Sequence, residues 1–229
     1  MSTERLDRLS KVTVEAAWKS LHDRNYNHCI IAGLQVVRPD QTLTGRARTL
    51  RFVPYRPDLA ARLDADPPMN KQVVESTQPG DVLVVDCFAA NHAGFVGDMM
   101  LTRFMKLGGR GVIVDGAIRD LGYMRNIELP IYTRHAHSAA MDGRILGIET
   151  QVPVAVAGVC VTAGDYLLGD AGGVLVIPAE LIDTVLDEAE ALDKKEVFIR
   201  EKIAAGISLH DAYPPNAEIE AEFKRWSNV

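Results

Sequence analysis

Two runs of apolar β-formers, DVLVVDCFA from residue 81 and GVIVDG from residue 111, flank a segment of helical character, and this arrangement restricts the fold more than any other feature. A nearly continuous run of Val, Ile and Leu is the mark of a strand covered on both faces, as parallel strands are. Residues 98–107 fit a helix that ends at Gly108-Gly109, where glycine supplies the left-handed conformation of a helix C-terminus. Strand, helix and strand in that order from 81 to 114 predict a right-handed parallel crossover.

The rest of the chain fills in around that unit. Leu6, Leu9, Val12, Ala16 and Ala17 fall near a 3.6-residue period, so residues 2–24 read as a pair of amphipathic helices in which Thr13 can cap a second turn. CIIAGLQVVRP and TLTGRARTLRFVPY predict two strands paired with each other across a turn at Pro39-Asp40. Residues 57–79 form a polar helical connection carrying Asp58, Asp64 and Asp66 and closed by Gln78-Pro79-Gly80. Beyond a short helix at 119–126 come a strand around Pro130-Ile131-Tyr132 and the strand-rich VPVAVAGVCV and GGVLVIP, with turns at Ala163-Gly164-Asp165 and Gly169-Asp170. The final stretch, AELIDTVLDEAEALDKKEVFIREKIAAG, reads as one uninterrupted charged helix. No repeat, linker or low-complexity segment intervenes. The expectation is therefore a single α/β domain over 1–229, with a core over about 10–180 and helical ends. Its C-terminal arm, about 179–213, has many charges that suit a solvated element reaching to a neighbouring subunit.

Composition removes several classes of function. A chain of 229 residues with 47% hydrophobic content buries an ordinary core. The net charge of -6, the pI near 5.5 and the scattered basic residues leave no footprint for nucleic acid, so the expected partner is a small molecule or another protein. The opening MSTERLDRLSK has no apolar signal-peptide core and no run approaches the ~18 apolar residues of a membrane span, which predicts a cytoplasmic protein with no membrane partner. Cys29, Cys87 and Cys160 lie far apart without a CxxC pair and are expected to be buried, reduced thiols.

Two places carry candidate chemistry. At Gly97-Asp98 a loop feeds a helix, so the first-turn amides of Met99, Met100 and Leu101 offer an anion site; the alternative is that Asp98 only caps the helix. Arg119-Asp120 follows VIVDG at the carboxyl end of a buried strand, where open α/β sheets place ligands. There an arginine holds a carboxylate bidentately and an adjacent aspartate binds a divalent cation; the alternative is a surface ion pair or cap. If the crossover brings Asp98 beside Asp120, an anion site, a cation and an arginine converge on a small keto acid, with the cation neutralising an enolate.

At these residues the chain resembles the RraA-like proteins, a family that includes the class II 4-hydroxy-4-methyl-2-oxoglutarate and 4-carboxy-4-hydroxy-2-oxoadipate aldolases. Asp98, twenty intervening residues and then Arg119-Asp120 match the Asp-x20-Arg-Asp signature of the catalytic members. TLTGRARTLRF, GDVLVVD, GVIVDGAIRD and GDYLLGDAGGVLVIP extend the resemblance over about residues 10–213. It implies a β/β/α swivelling-type fold and a homotrimer or hexamer with active sites in clefts between subunits. It further implies that Arg119 binds pyruvate, that Asp120 carries Mg²⁺ or Mn²⁺ mostly through waters, and that Asp98 holds a proton-carrying water. Met99 and Met100 would offer amides to the carboxylate, and Glu196 from a neighbouring subunit would complete the metal's outer shell.

The chain also departs from the family pattern: Ala163 precedes Gly164-Asp165, and Gly172 replaces an aspartate of the later motif. His92, six residues before Asp98, is a candidate for the distal part of a substrate, and Tyr132, Arg134, His135 and His137 are candidates for the pocket wall. A Schiff-base aldolase is disfavoured, because no lysine sits in a readable apolar strand; Lys106, Lys194 and Lys195 lie on helices. No nucleophile elbow, P-loop or dinucleotide fingerprint is present. The expected activity is a divalent-metal lyase releasing pyruvate from a 4-hydroxy-2-oxo acid, with oxaloacetate decarboxylation as a side reaction. The rival readings are a protein-binding regulator, since the family's namesake inhibits a ribonuclease, and an idle trimeric scaffold.

Overall fold

The computed structural model describes residues 2–227. Helices α1 (Ser2–Leu9) and α2 (Val14–His22) open the chain, and Thr13 Oγ1 caps α2 by accepting from Ala16 N at 3.2 Å. Short strands β1 (Ile30–Ile31) and β2 (Gln35–Val36) precede the long β3 (Leu43–Pro54). Helices α3 (Pro57–Leu63) and α4 (Met69–Glu75) lead to β4 (Asp81–Asp86), α5 (Asp98–Lys106), β5 (Gly111–Ile118), α6 (Leu121–Met124) and β6 (Ile131–Ala136). The remaining strands are β7 (Ile145–Thr150), β8 (Val154–Val156), β9 (Val159–Val161), β10 (Tyr166–Asp170) and β11 (Gly173–Ile177). Helices α7 (Ile182–Ala204), α8 (Leu209–Ala212) and α9 (Ala217–Ser227) close the chain.

The mixed α/β sheet has the order β1-β11-β10-β3-β4-β5-β6-β2, with β7 also on β3. Its centre, β3 through β6, is parallel, as the two apolar runs require. Alternation within those runs shows why both are apolar throughout: Leu83 and Val85 enter the cluster that holds Leu101 and Phe104 of α5, whereas Val82 and Val84 enter the cluster on the other face with the β8–β9 hairpin. That hairpin turns at Ala157 (φ 48°) and Gly158 (φ 85°), two consecutive left-handed residues as a type I′ loop demands.

Three expectations change. β1 and β2 do not pair with β3; β1 joins β11 and β2 joins β6, because β10 and β4 already occupy the edges of β3. The C-terminal helix is not a solvated arm along its length. Ile182, Val185, Leu186 and Ala189 are buried with Leu6, Leu9 and Leu21 of the N-terminal helices. The charges that suggested solvation border this contact: Arg5 pairs with Asp183 at 2.6 Å, Arg8 with Asp187 at 2.6 Å and Glu190 at 2.7 Å, and Arg24 with Glu188 at 2.6 Å. Past Gly206 (φ 99°) the chain folds back, and Ala212, Ile219 and Phe223 pack on Phe198 and Ile199 in a separate small cluster. Finally, Cys29 and Cys87 are buried but Cys160 is exposed, since alternate residues of the short β9 face outward. Among the described residues no helix is long and apolar enough to cross a membrane.

Candidate active site

Residues 93–97 run along the end of β5 and are clamped to it. Gly94 bridges Ala117, Phe95 N donates to Ala117 O at 2.9 Å, and Arg119 N donates to Val96 O at 2.9 Å. Two glycines permit the approach. A Cβ on Gly94 would stand 2.2 Å from Arg119 Cγ and 2.6 Å from the carbonyl oxygen of His137, and one on Gly97 would stand 2.5 Å from Asp120 Oδ2. Asp120 itself adopts the left-handed conformation (φ 53°, ψ 41°) at the start of α6, which turns its carboxylate back toward α5, where Oδ2 accepts from Asp98 N at 3.2 Å. The crossover therefore brings the helix start at Asp98 beside the strand end at Asp120.

The N-cap of α5 is Gly97 and not Asp98. Asp98 is the first helical residue, and its Oδ1 accepts from Met99 N at 2.7 Å. Of the three amides expected to be open, Met99 N is thus engaged, and Leu101 N donates to Gly97 O at 3.2 Å while its side chain lies in the core. Met100 N finds no acceptor among the described residues. The half-buried Arg119 contributes a second unsatisfied group: its Nε is buried and has no hydrogen-bond partner. A buried guanidinium nitrogen left unpaired is costly unless something else occupies the space beside it.

Gly97, Asp98, Met99, Met100, Arg119 and Asp120 line one cleft of about 460 Å³. Besides Pro68, Gly94 and Phe95, the wall includes residues that periodicity does not single out: Asn70 and Lys71 of α4, and Ala140 to Asp142 in the loop before β7. Asn70 Nδ2 lies 3.8 Å from Met100 Sδ and 3.4 Å from Met141 Sδ, tying the two walls together, while its Oδ1 is buried without a partner. A polar Asn-Lys pair opening a helix between two prolines and a glycine was the available signal.

Other candidates lie elsewhere. His92 is exposed and does not line the cleft; its carbonyl accepts from Arg144 Nη1 at 3.3 Å. Tyr132 is in the core, where its hydroxyl donates to Asp170 O at 2.8 Å and burial, with Asp170 nearby, raises its pKa. Arg134 pairs with Asp115, His135 is exposed, and His137 Nδ1 accepts from Ala139 N at 3.0 Å. Tyr132, Arg134, His135 and His137 therefore do not line the cleft, whose wall on this side is Ala140 to Asp142. Glu196 lines a different groove with Trp18, Leu192 and Tyr213, so its own chain does not bring it to Asp120. The Cys87 thiol is pushed up by burial and then by Asp86 and Asp115, which suits a packing residue.

The donors present bear on a metal. Among the described residues no three His, Cys, Asp or Glu side chains gather as a metal cage. Asp120 is exposed, and among the described residues its carboxylate accepts one hydrogen bond, from Asp98 N to Oδ2, which leaves Oδ1 free. A single open carboxylate fits a hard cation that keeps most of its waters, such as Mg²⁺, and does not fit a thiophilic ion.

A family model described as RraA-like, Aldolase/RraA, matches residues 13–176, a span that includes every residue of this cleft. The chain belongs to the RraA-like family. It is 38% identical over 112 residues to the Halalkalibacterium halodurans protein named "Putative 4-hydroxy-4-methyl-2-oxoglutarate aldolase", covering 49% of this chain and 53% of that one, so the match spans about half the length of that relative. Among solved structures, the Streptomyces coelicolor protein RraAS2, described as an unusual member of the RNase ES inhibitor RraA protein family, is 32% identical with a TM-score of 0.76 over 86% of this chain and 96% of that one. An uncharacterized protein from Pseudomonas syringae, 21% identical with a TM-score of 0.81 over 93% and 94% of the two chains, shares the RraA-like fold.

Proposed function

We propose that this RraA-like chain is a divalent-cation-dependent lyase that cleaves a 4-hydroxy-2-oxo acid to pyruvate and a second carbonyl compound. The observation that carries the reading is the buried, unpartnered Nε of Arg119 in the wall of a cleft that also holds Asp98, Asp120 and the open amide of Met100. Arginine's planar fork matches a carboxylate, and Met100 N donates to the same anion. With the acid fixed there, a water held by Asp98 takes the proton of the C4 hydroxyl; the C3–C4 bond breaks, C4 becomes a carbonyl and the electron pair passes to the C2 oxygen as an enolate. The same water returns a proton to C3, giving the methyl group of pyruvate. Arg119 stabilises the charge that develops at the C2 oxygen. Asp120 would hold Mg²⁺ or Mn²⁺, which supplies further positive charge toward the enolate when bound. Loss of CO₂ from oxaloacetate reaches the same enolate, so decarboxylation is the expected side activity. In this reading the protein is a homotrimer or hexamer, and Glu196 approaches the metal from a neighbouring copy.

Similarity to RraAS2, described as a member of a ribonuclease-inhibitor family, favours a second reading as a protein-binding regulator. A regulator has no use for a carboxylate placed to move a proton. The deciding experiment assays pyruvate release from a panel of 4-hydroxy-2-oxo acids and from oxaloacetate in Mg²⁺ or Mn²⁺. Turnover of at least one above the spontaneous rate supports the lyase; none, together with capture of a ribonuclease, supports the regulator.

A further inference from the structure

We propose that an apolar annex of the cleft receives the substituent on C4 of the substrate, so that the carbonyl compound released alongside pyruvate carries an aryl or branched alkyl group. The inference rests on the lyase reading and names the class of substrate that the cleft selects.

A hollow of about 190 Å³ opens between α3, α4 and β7. Ala60 and Leu63 of α3, Met69 of α4 and Leu146 of β7 line it, and among the described residues around it Asn70 is the one polar side chain. The hollow is continuous with the cleft, because Pro68, Asn70 and Met141 belong to the walls of both. None of these three is charged, so an apolar group passes from one to the other without stripping water from an ion. The junction also lies close to the anion site. Met100, whose amide faces the carboxylate in the lyase reading, places Sδ 3.8 Å from Asn70 Nδ2, and the same nitrogen lies 3.4 Å from Met141 Sδ. An acid held at Arg119 and Met100 N therefore has the annex within reach of its far end.

The chain does not fill this hollow itself. Helix α3 has no buried residue; Ala60 and Leu63 are half-buried, and they cover the space without occupying it. Gly147 of β7 lines it with backbone alone. Interiors elsewhere pack to the density of organic crystals, and an apolar hollow left open forgoes those contacts until a guest supplies them. A cavity of roughly 150 Å³ lined by aliphatic and aromatic side chains holds a benzene ring, so about 190 Å³ admits a phenyl or branched alkyl group. Met69 and Met141 suit such a guest, since a flexible thioether adapts to its shape and makes favourable contacts with ring edges.

The test compares 4-hydroxy-2-oxo-4-phenylbutanoate with 4-hydroxy-2-oxopentanoate, whose C4 substituent is a methyl group, in wild type, Ala60→Phe and Ala61→Phe. Ala60→Phe fills the annex from a helix that contributes nothing to the core, and Ala61 is exposed on the same helix and does not line the annex. In wild type kcat/KM should favour the phenyl substrate by at least about 10-fold, the low end of what one methylene contributes in a hydrophobic pocket, chiefly through KM. That ratio should fall to about 1 in Ala60→Phe, with the methyl substrate still cleaved, and persist in Ala61→Phe. Leu63→Phe repeats the test from a second lining position should Ala60→Phe fail to fold. No phenyl preference in wild type overturns the proposal, as does a preference that survives in the folded Ala60→Phe or Leu63→Phe protein. Calorimetric binding of 2-oxo-4-phenylbutanoate against 2-oxobutanoate in Mg²⁺ supplies an arm independent of turnover, because neither acid has a C4 hydroxyl to cleave. If wild type prefers the phenyl acid and Ala60→Phe does not, while neither hydroxy acid is cleaved, the lyase reading fails and the annex stands; equal affinity for the two acids in wild type overturns the annex.

Discussion

Gly97→Ala separates the geometry of the site from the stability of the fold. Gly97 has φ -119° and ψ -177°, extended backbone open to any residue, so alanine adds no conformational strain. The added methyl, however, would stand 2.5 Å from Asp120 Oδ2, and no other residue's backbone is within reach of it. The carboxylate must withdraw by about 1 Å, a displacement of the size that costs ~10²-fold when it falls on a reacting group. Withdrawal also breaks the bond from Asp98 N, an exposed contact whose loss costs about 1 kcal/mol. Restricting the unfolded chain by Gly→Ala returns about 0.4–1 kcal/mol. The melting temperature should therefore stay within about 4 °C of wild type, while pyruvate release, followed through a coupled dehydrogenase, falls by roughly 10²-fold. A variant that keeps wild-type kinetics would show that the position of Asp120 is irrelevant to turnover. A variant that unfolds would show that the carboxylate cannot yield.

Arg119→Lys should lose at least about 10²-fold in kcat/KM while remaining folded, because a point charge cannot replace the fork; unchanged constants by steady-state assay would remove Arg119 from the site. Chelation should reduce turnover to the spontaneous rate, with recovery on adding Mg²⁺ or Mn²⁺, and full activity in chelator would contradict the metal requirement. Glu188, held by Arg24 and Ser20, has its carboxyl lowered from 4.5 to about 2, so it stabilises the fold above pH 4.5 and this contribution is lost as pH falls toward 2. The pair is largely exposed, so Glu188→Gln should cost less than about 1 kcal/mol at neutral pH and flatten the stability profile between pH 4.5 and 2 in denaturant titrations; an unaltered slope would mean that the pair is not formed in solution.

The central sheet was legible because β4 and β5 bury both faces, and a run such as VLVV or GVIV allows few other environments. The cap at Thr13 and the glycine stop of α5 were legible for the same reason, since each depends on local chemistry. Partners of weak strands were not. β1 and β2 are two residues each, and their registers with β11 and β6 are set by tertiary neighbours. β7, in RILGIET, has one buried face and mixed polarity, and only its antiparallel pairing to β3 makes it a strand. On α7 the charges suggested water, yet their partners are arginines almost the whole chain away, which no local period reports. At the site, Asp98, Arg119 and Asp120 meet because a crossover has a fixed geometry, whereas Asn70 and Lys71 arrive from a short helix whose placement depends on the packing of Val73 and Val74.

In the proposed lyase the cleft moves a proton to and from C3 of pyruvate through a water held by Asp98. Exchange of the pyruvate methyl protons in deuterated buffer with Mg²⁺, followed by NMR, measures that step without any cleavable substrate. Asp98→Asn retains an oxygen for Met99 N, so the start of α5 should persist. Wild type should exchange the methyl protons well above the buffer rate, and folded Asp98→Asn should do so roughly 10²–10⁴-fold more slowly. Equal rates in the two proteins, or no exchange above buffer in wild type, would rule out this proton transfer.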